Sequence, residues 1–320
     1  MSSTSSDAGT SSAAAPPTAQ LAPGGRTVAG IAYDDEGSGE PIVLVHAGVA
    51  DRRMWSGLAA ELAREHRVIR HDTRGAGETL PPTGPWAHHT DLLHLLDELL
   101  VGRAHVIGAS MGAGIAVEAA LARPEAVASL VLAAPGGALF GSAPASLRSL
   151  WAAEVAALDR GDLDGAVEVN LRGWVDGPHR RPEVVDAEVR RWVGEMQRDA
   201  FELPEWDPEA VPEHELDPPA VERLHELRCP VLVVVGAGDD PAVLETAERI
   251  ANAAPRARLV VWPDVAHMLT LERPAEFAAL VRDFLRAVGD GRFDGTPEAA
   301  PASSGTPAEP GATTPGDAAS

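Results

Sequence analysis

The residues best placed to do chemistry are Gly108-Ala109-Ser110-Met111-Gly112, a Gly-x-Ser-x-Gly pentapeptide. It lies where an apolar, strand-like run ends (VIGA) and a small-residue helical run begins (MGAGIAVEAALA). A sharp strand-to-helix turn strains the serine backbone, and small flanking residues let strand and helix approach. Such a turn lifts the hydroxyl of Ser110 out of the sheet and aims the Met111 N–H at a developing oxyanion. A serine hydroxyl is a weak nucleophile until a base takes its proton. His267, in Asp264-Val265-Ala266-His267-Met268-Leu269, follows the last strand-like run and is the only histidine after His225. That base needs a carboxylate to hold its tautomer and stabilise the imidazolium. Gly236-Ala237-Gly238-Asp239-Asp240-Pro241 follows the run PVLVVV and offers Asp239, with Asp240 as the alternative one register away. The other place for this acid, after ASLVLAA, reads Ala-Ala-Pro and holds no carboxylate.

These residues must be carried by a scaffold, and its outline is visible in the hydrophobic pattern. Pro41–His46, Arg67–His71, Arg103–Ala109, Ala128–Ala134, Pro230–Val235 and Arg258–Trp262 read as short apolar strands. Helical patterns separate them at Trp55–Arg64, around Leu92–Leu100, and at Met111–Arg123, Ala242–Ala253 and Pro274–Val288. Strands apolar throughout, alternating with helices, predict an α/β fold: a mostly parallel central sheet covered by helices on both faces. The pattern breaks over 139–228, which is predicted mostly helical and holds Trp151, Trp174, Trp192 and Trp206. This segment is expected to form a helical lid inserted in the 26–138 and 229–289 core. Residues 1–25 and 290–320 are rich in Ser, Thr, Ala, Pro and Gly and are expected to be disordered tails.

Composition removes several classes of function. Net charge is −22 and no lysine is present. An acidic chain lacks the basic footprint for nucleic acid or an anionic membrane. Without lysine there is no phosphate-cradling P-loop and no Schiff-base mechanism. The single Cys229 excludes an internal disulfide and reads as a packing residue. No basic-then-apolar leader is visible and no apolar run approaches about 20 residues, so a soluble cytoplasmic protein is expected. His88, His89 and His94 lack a matched second cluster, so no metal is expected. Gly75-Ala76-Gly77 lacks the third glycine of a dinucleotide fingerprint, and Asp159–Gly165 departs from a calcium loop. The eight acids of 199–217 read as a solvated face.

Five stretches in order resemble the lid-bearing α/β-hydrolase superfamily: VLVHAGVADRRMW, VIRHDTRGAGET, AHVIGASMGAGIAVEAALARPEAVASLVLAAP, CPVLVVVGAGDDP and PDVAHMLTLERPAEF. The chain order Ser, Asp, His also matches that family. The resemblance implies an oxyanion hole from the N–H groups of Met111 and Gly48. The family's usual His-Gly pair reads His46-Ala47 here, and its Gly-x-Gly-x-Ser ending reads GAGET. His46 is then a structural residue at a strand end. The implied activity is cofactor-free hydrolysis of a carboxylic ester, lactone or thioester, with carbon–carbon bond hydrolysis or perhydrolase chemistry (a cofactor-free haloperoxidase) as alternatives on the same triad. A ligand receptor or pseudoenzyme on this fold is the alternative from another class. Trp151, Trp174 and Trp192 are candidates to line a largely apolar pocket for a neutral small molecule. Arg52 and Arg53, beside the oxyanion loop, are the groups that would instead favour an anion.

Overall fold

The computed structural model describes residues 24–203 and 211–295 of the 320. In chain order the elements are β1 (Gly24–Arg26), β2 (Ala32–Gly37), β3 (Pro41–Val45), α1 (Ser56–Leu62), β4 (Arg67–His71), α2 (His88–Glu98), β5 (Ala104–Ala109), α3 (Met111–Ala122) and β6 (Val127–Ala133). Next come α4 (Ala145–Leu158), α5 (Leu163–Asn170), α6 (Ala187–Phe201), β7 (Val231–Gly236), α7 (Pro241–Ala253), β8 (Ala257–Trp262), α8 (Leu269–Glu272) and α9 (Pro274–Gly289). The eight strands form one sheet in the order β1-β2-β4-β3-β5-β6-β7-β8. β1 and β2 are antiparallel to their neighbours, and every pair from β4 to β8 is parallel.

Every residue of β5, β6 and β7 is buried. Successive side chains on a strand point to opposite faces, so both faces are covered. This is the predicted architecture, and the six strands read from sequence match β3–β8 to within a residue at each end. Two strands went unread: β1, which is only Gly-Gly-Arg, and β2. β2 is Ala-Tyr-Asp-Asp-Glu-Gly, and its acids pair with arginines rather than apolar neighbours: Asp34 with Arg52 and Arg70, Asp35 with Arg67. A strand held by ion pairs carries no apolar run for periodicity to find.

The ordered elements run past the boundaries drawn at 26 and 289. Gly24 and Gly25 pair with Asp34 and Tyr33 in β1. Phe293 is buried, edge-on to Phe284 at 4.9 Å and beneath the Arg258 guanidinium. The remainder of both tails, 1–23 and 296–320, lies outside the described residues, as does Trp206.

Between β6 and β7 the chain leaves the sheet for α4, α5, a π-helical turn (Leu171–Asp176) and α6, which pack on one another in sequence. Among the described residues no helix is long and apolar enough to cross a membrane. Cys229 is buried, and burial pushes its thiol up to about 11, consistent with a packing role.

Candidate active site

Ser110 sits between the last residue of β5 and the first of α3 with φ +52°, ψ −116°. That left-handed conformation costs a non-glycine residue roughly 1–3 kcal/mol and persists only where the surroundings impose it. Here the Ser110 amide donates to the Ala133 carbonyl (2.9 Å), and its carbonyl accepts from Ala113 (2.9 Å) and Gly136 (3.1 Å). The flanking glycines are required by contact. A Cβ on Gly108 would lie 2.2 Å from the Gly112 carbonyl oxygen, and one on Gly112 would lie 2.3 Å from that of Val45.

The loops that carry Asp239 and His267 follow β7 and β8 and are laced together. Gly238 donates to the Val265 carbonyl (2.9 Å) and Ala237 to that of Trp262 (2.8 Å). The lacing brings His267 Nδ1 to 2.8 Å from Asp239 Oδ2, and His267 Nε2 to 2.7 Å from Ser110 Oγ. Both the Asp239 and His267 side chains are about 1% exposed, whereas Ser110 is half-buried. The relay therefore opens outward only at the hydroxyl. The second Asp239 oxygen accepts the Asp240 amide at 2.7 Å. Asp240 itself turns away and caps α7, accepting the Ala242 amide at 2.9 Å.

Gly48 faces the side chain of Met111, whose Sδ would lie 3.7 Å from a Cβ on this glycine. Among the described residues, neither the Gly48 nor the Met111 amide has an intramolecular hydrogen-bond partner. His46 is fully buried; its Nδ1 donates to the Ala47 carbonyl (2.8 Å) and its Nε2 accepts the Thr73 amide (2.9 Å). The ring ties the loop after β3 to the loop after β4. Arg52 and Arg53 are both committed to carboxylates. Arg52, buried, holds Asp34, Asp72 and Glu78; Arg53 holds Asp51 and Asp199 and lies over Trp192. Burial pushes the Asp72 carboxyl up while Arg52 pulls it down.

The three tryptophans separate. Trp174, buried on the π-helical turn, lies 4.6 Å from the His267 ring at a 43° tilt. Trp151, on α4, is 40% exposed and lines a cavity beside Met111. Trp192, on α6, packs with Arg53. Sequence reasoning missed what holds Trp174. Arg180 grips Glu272 with two bonds (2.6 and 2.9 Å) and also donates to the carbonyls of Val175, Asp176 and Asp264. Glu272 in turn accepts the Ala266 amide at 3.2 Å. This half-buried pair fastens the inserted segment to the His267 loop, yet its members are 92 residues apart and share no motif. Gly136 was also missed: a Cβ there would come within 3.3 Å of Ser110 Oγ.

Residues 42–280 match the model of the Alpha/beta hydrolase family. The chain is 29% identical over 273 residues to a 2-hydroxymuconate semialdehyde hydrolase of Pseudomonas sp. strain CF600, covering 78% of this chain and 88% of that one. It is 30% identical over 269 residues to a putative non-heme bromoperoxidase, BpoC, of Mycobacterium tuberculosis, covering 81% and 98%. A solved esterase of Thermogutta terrifontis superposes with a TM-score of 0.65 at 27% identity, covering 81% and 93%. The extent of the family match, together with the parallel sheet and the strained Ser110 turn at its centre, establishes that this chain belongs to the alpha/beta hydrolase family.

Proposed function

We propose that the chain is a cofactor-independent serine hydrolase that cleaves a carboxylic ester, lactone or thioester through an acyl-enzyme on Ser110. The carrying observation is the continuous relay from Ser110 Oγ through His267 to Asp239, at 2.7 and 2.8 Å. His267 Nε2 takes the Ser110 proton as Oγ attacks the carbonyl. Asp239 keeps the other imidazole proton on Nδ1 and stabilises the imidazolium. The tetrahedral oxyanion is held by the Gly48 and Met111 amides, both free to donate. His267 then protonates the leaving group, and a water activated at the same nitrogen releases the acid. Trp174 shields His267 from solvent, and the 139–228 insertion serves as a lid over this end of the sheet.

The surroundings of Ser110 disfavour an acyl group that carries negative charge. The two arginines nearest the oxyanion loop are already neutralised by Asp34, Asp72, Glu78, Asp51 and Asp199, so they offer an anion little. The relative named 2-hydroxymuconate semialdehyde hydrolase supports a second reading, carbon–carbon bond hydrolysis by the same relay. A fluorophosphonate probe tests the nucleophile without knowledge of the substrate. The expected result is one adduct, mapped by mass spectrometry to Ser110 and lost in Ser110→Ala. An adduct on another residue, or none on the folded protein, overturns the reading.

A further inference from the structure

A cavity of about 330 Å³ begins at Met111 and runs along α3. Met111, Ile115 and Glu118 line it at i, i+4 and i+7, one face of the helix. At 1.5 Å per residue the backbone positions of Met111 and Glu118 lie roughly 10 Å apart along the helix axis. Phe140 and Trp151 complete apolar walls near the Met111 end. The far end is acidic, with Glu213 and Glu215 at the rim and no arginine in the lining.

Glu118 is only 6% exposed, faces this cavity, and makes no hydrogen bond among the described residues. A buried carboxylate without a donor is unfavourable unless something supplies opposite charge. The neighbouring groups do not. From α2, His89 Nδ1 stands 3.8 Å off, beyond hydrogen-bonding distance, and burial holds its pKa down; burial holds His88 down to about 4. Arg74 is bound to Asp91 by two bonds of 2.7 and 3.0 Å. From the later part of the insertion, Glu213 and Glu215 add only further carboxylates. Burial, then repulsion by Glu213 and Glu215, pushes Glu118 up to about 7. Among the described residues no three metal-ligating side chains converge.

We propose that this cavity is the acyl subsite and that it receives an acyl chain carrying a protonated amine at its far end, bound by Glu118. The span suits an apolar spacer of roughly six to eight single bonds, close to the reach of three extended residues. Its volume lies at the lower end for small-molecule sites, as a single unbranched chain requires. This names a substrate class for the hydrolase reading and rests on it.

The test compares methyl 8-aminooctanoate with methyl nonanoate, a neutral chain of the same length. At pH 8 the wild type should prefer the amine in kcat/KM by about 10- to 100-fold, the range of a charge-assisted hydrogen bond. Glu118→Gln should bring the ratio near one. The wild-type ratio should also fall between pH 8 and 6 as Glu118 gains its proton, a readout independent of any variant's folding. Equal rates at pH 8, or a preference unchanged in folded Glu118→Gln, overturn the subsite. Calorimetry of octylamine and octanol on Ser110→Ala separates the two readings. If neither ester is cleaved yet octylamine binds more tightly and loses that advantage in Glu118→Gln, the hydrolase reading fails and the subsite stands. If octylamine binds no better than octanol, the subsite fails whatever the esters do.

Discussion

Gly112→Ala tests whether the packing of helix on strand sets the nucleophile. The added methyl would sit 2.3 Å from the Val45 carbonyl oxygen and 2.6 Å from that of His46. Both are backbone atoms at the end of the central strand β3, so neither can swing aside. Reaching even 3.0 Å, the closest separation real Cβ atoms show, moves the start of α3 back by about 0.7 Å. That displacement carries Ser110 and the Met111 amide away from His267 and the Gly48 loop. Misplacement by about 1 Å costs on the order of 100-fold in rate. Overpacking costs about 1–3 kcal/mol, and alanine's better helix propensity returns at most about 1 kcal/mol. A net loss of about 1–2 kcal/mol lowers Tm by roughly 2–8 °C in a domain of this size. The assay is turnover of a p-nitrophenyl ester alongside a calorimetric melt, with Gly57→Ala as the control. Gly57 lies on α1 with nothing within 4 Å of its Cβ position, so its replacement should leave rate and Tm unchanged or raise Tm slightly. Wild-type kcat and Tm in Gly112→Ala would refute the claim that this contact fixes the serine.

Asp239→Asn should lower kcat on the order of 10⁴-fold by favouring the wrong His267 tautomer. Asp240→Asn should change it only a few-fold, because asparagine caps a helix about as well as aspartate; the opposite ranking in ester turnover would move the acid by one residue. Arg180→Met leaves Glu272 without its bidentate partner and should cost about 1–3 kcal/mol in a urea titration. It should also reduce kcat more than it changes KM, while Arg180→Lys restores charge but not the fork; wild-type stability in Arg180→Met would show that the insertion is fastened elsewhere. Glu118 has a native pKa raised by burial to about 7, above its unfolded value of 4.5. The native state therefore holds the extra proton between these values, and stability falls as pH rises through that window. Glu118→Gln should flatten the decline and gain roughly 1–3 kcal/mol at pH 8, read as Tm against pH; parallel profiles for the two proteins would remove Glu118 as its cause.

The parallel layering of this protein was legible in sequence because strands buried on both faces must be apolar at nearly every position. The site was legible in part for a related reason. The Gly-x-Ser-x-Gly turn needs its glycines within two residues of the serine, and the carboxyl ends of β7 and β8 each present one short loop. Local sequence left Asp239 and Asp240 as alternatives, since both are aspartates in one turn. In the fold, the bonds from Gly238 and Ala237 to the His267 loop aim the Asp239 carboxylate at the imidazole and the Asp240 carboxylate at the start of α7. Other features have no local signature at all. Trp151, Trp174 and Trp192 look alike in sequence, yet only Trp174 meets His267. Arg52 and Arg53 read as free cations beside the oxyanion loop until β2, the loop after β4 and α6 bring them carboxylates. Glu118 reads as one acid in an alanine-rich helix until α2 and the later part of the insertion close over it. Sequence alone determined what depends on residues close along the chain: burial periodicity, turn chemistry and the order of reactive groups. Only the tertiary structure decided which charges are neutralised and which aromatic reaches the base, because those outcomes rest on contacts tens to more than a hundred residues apart.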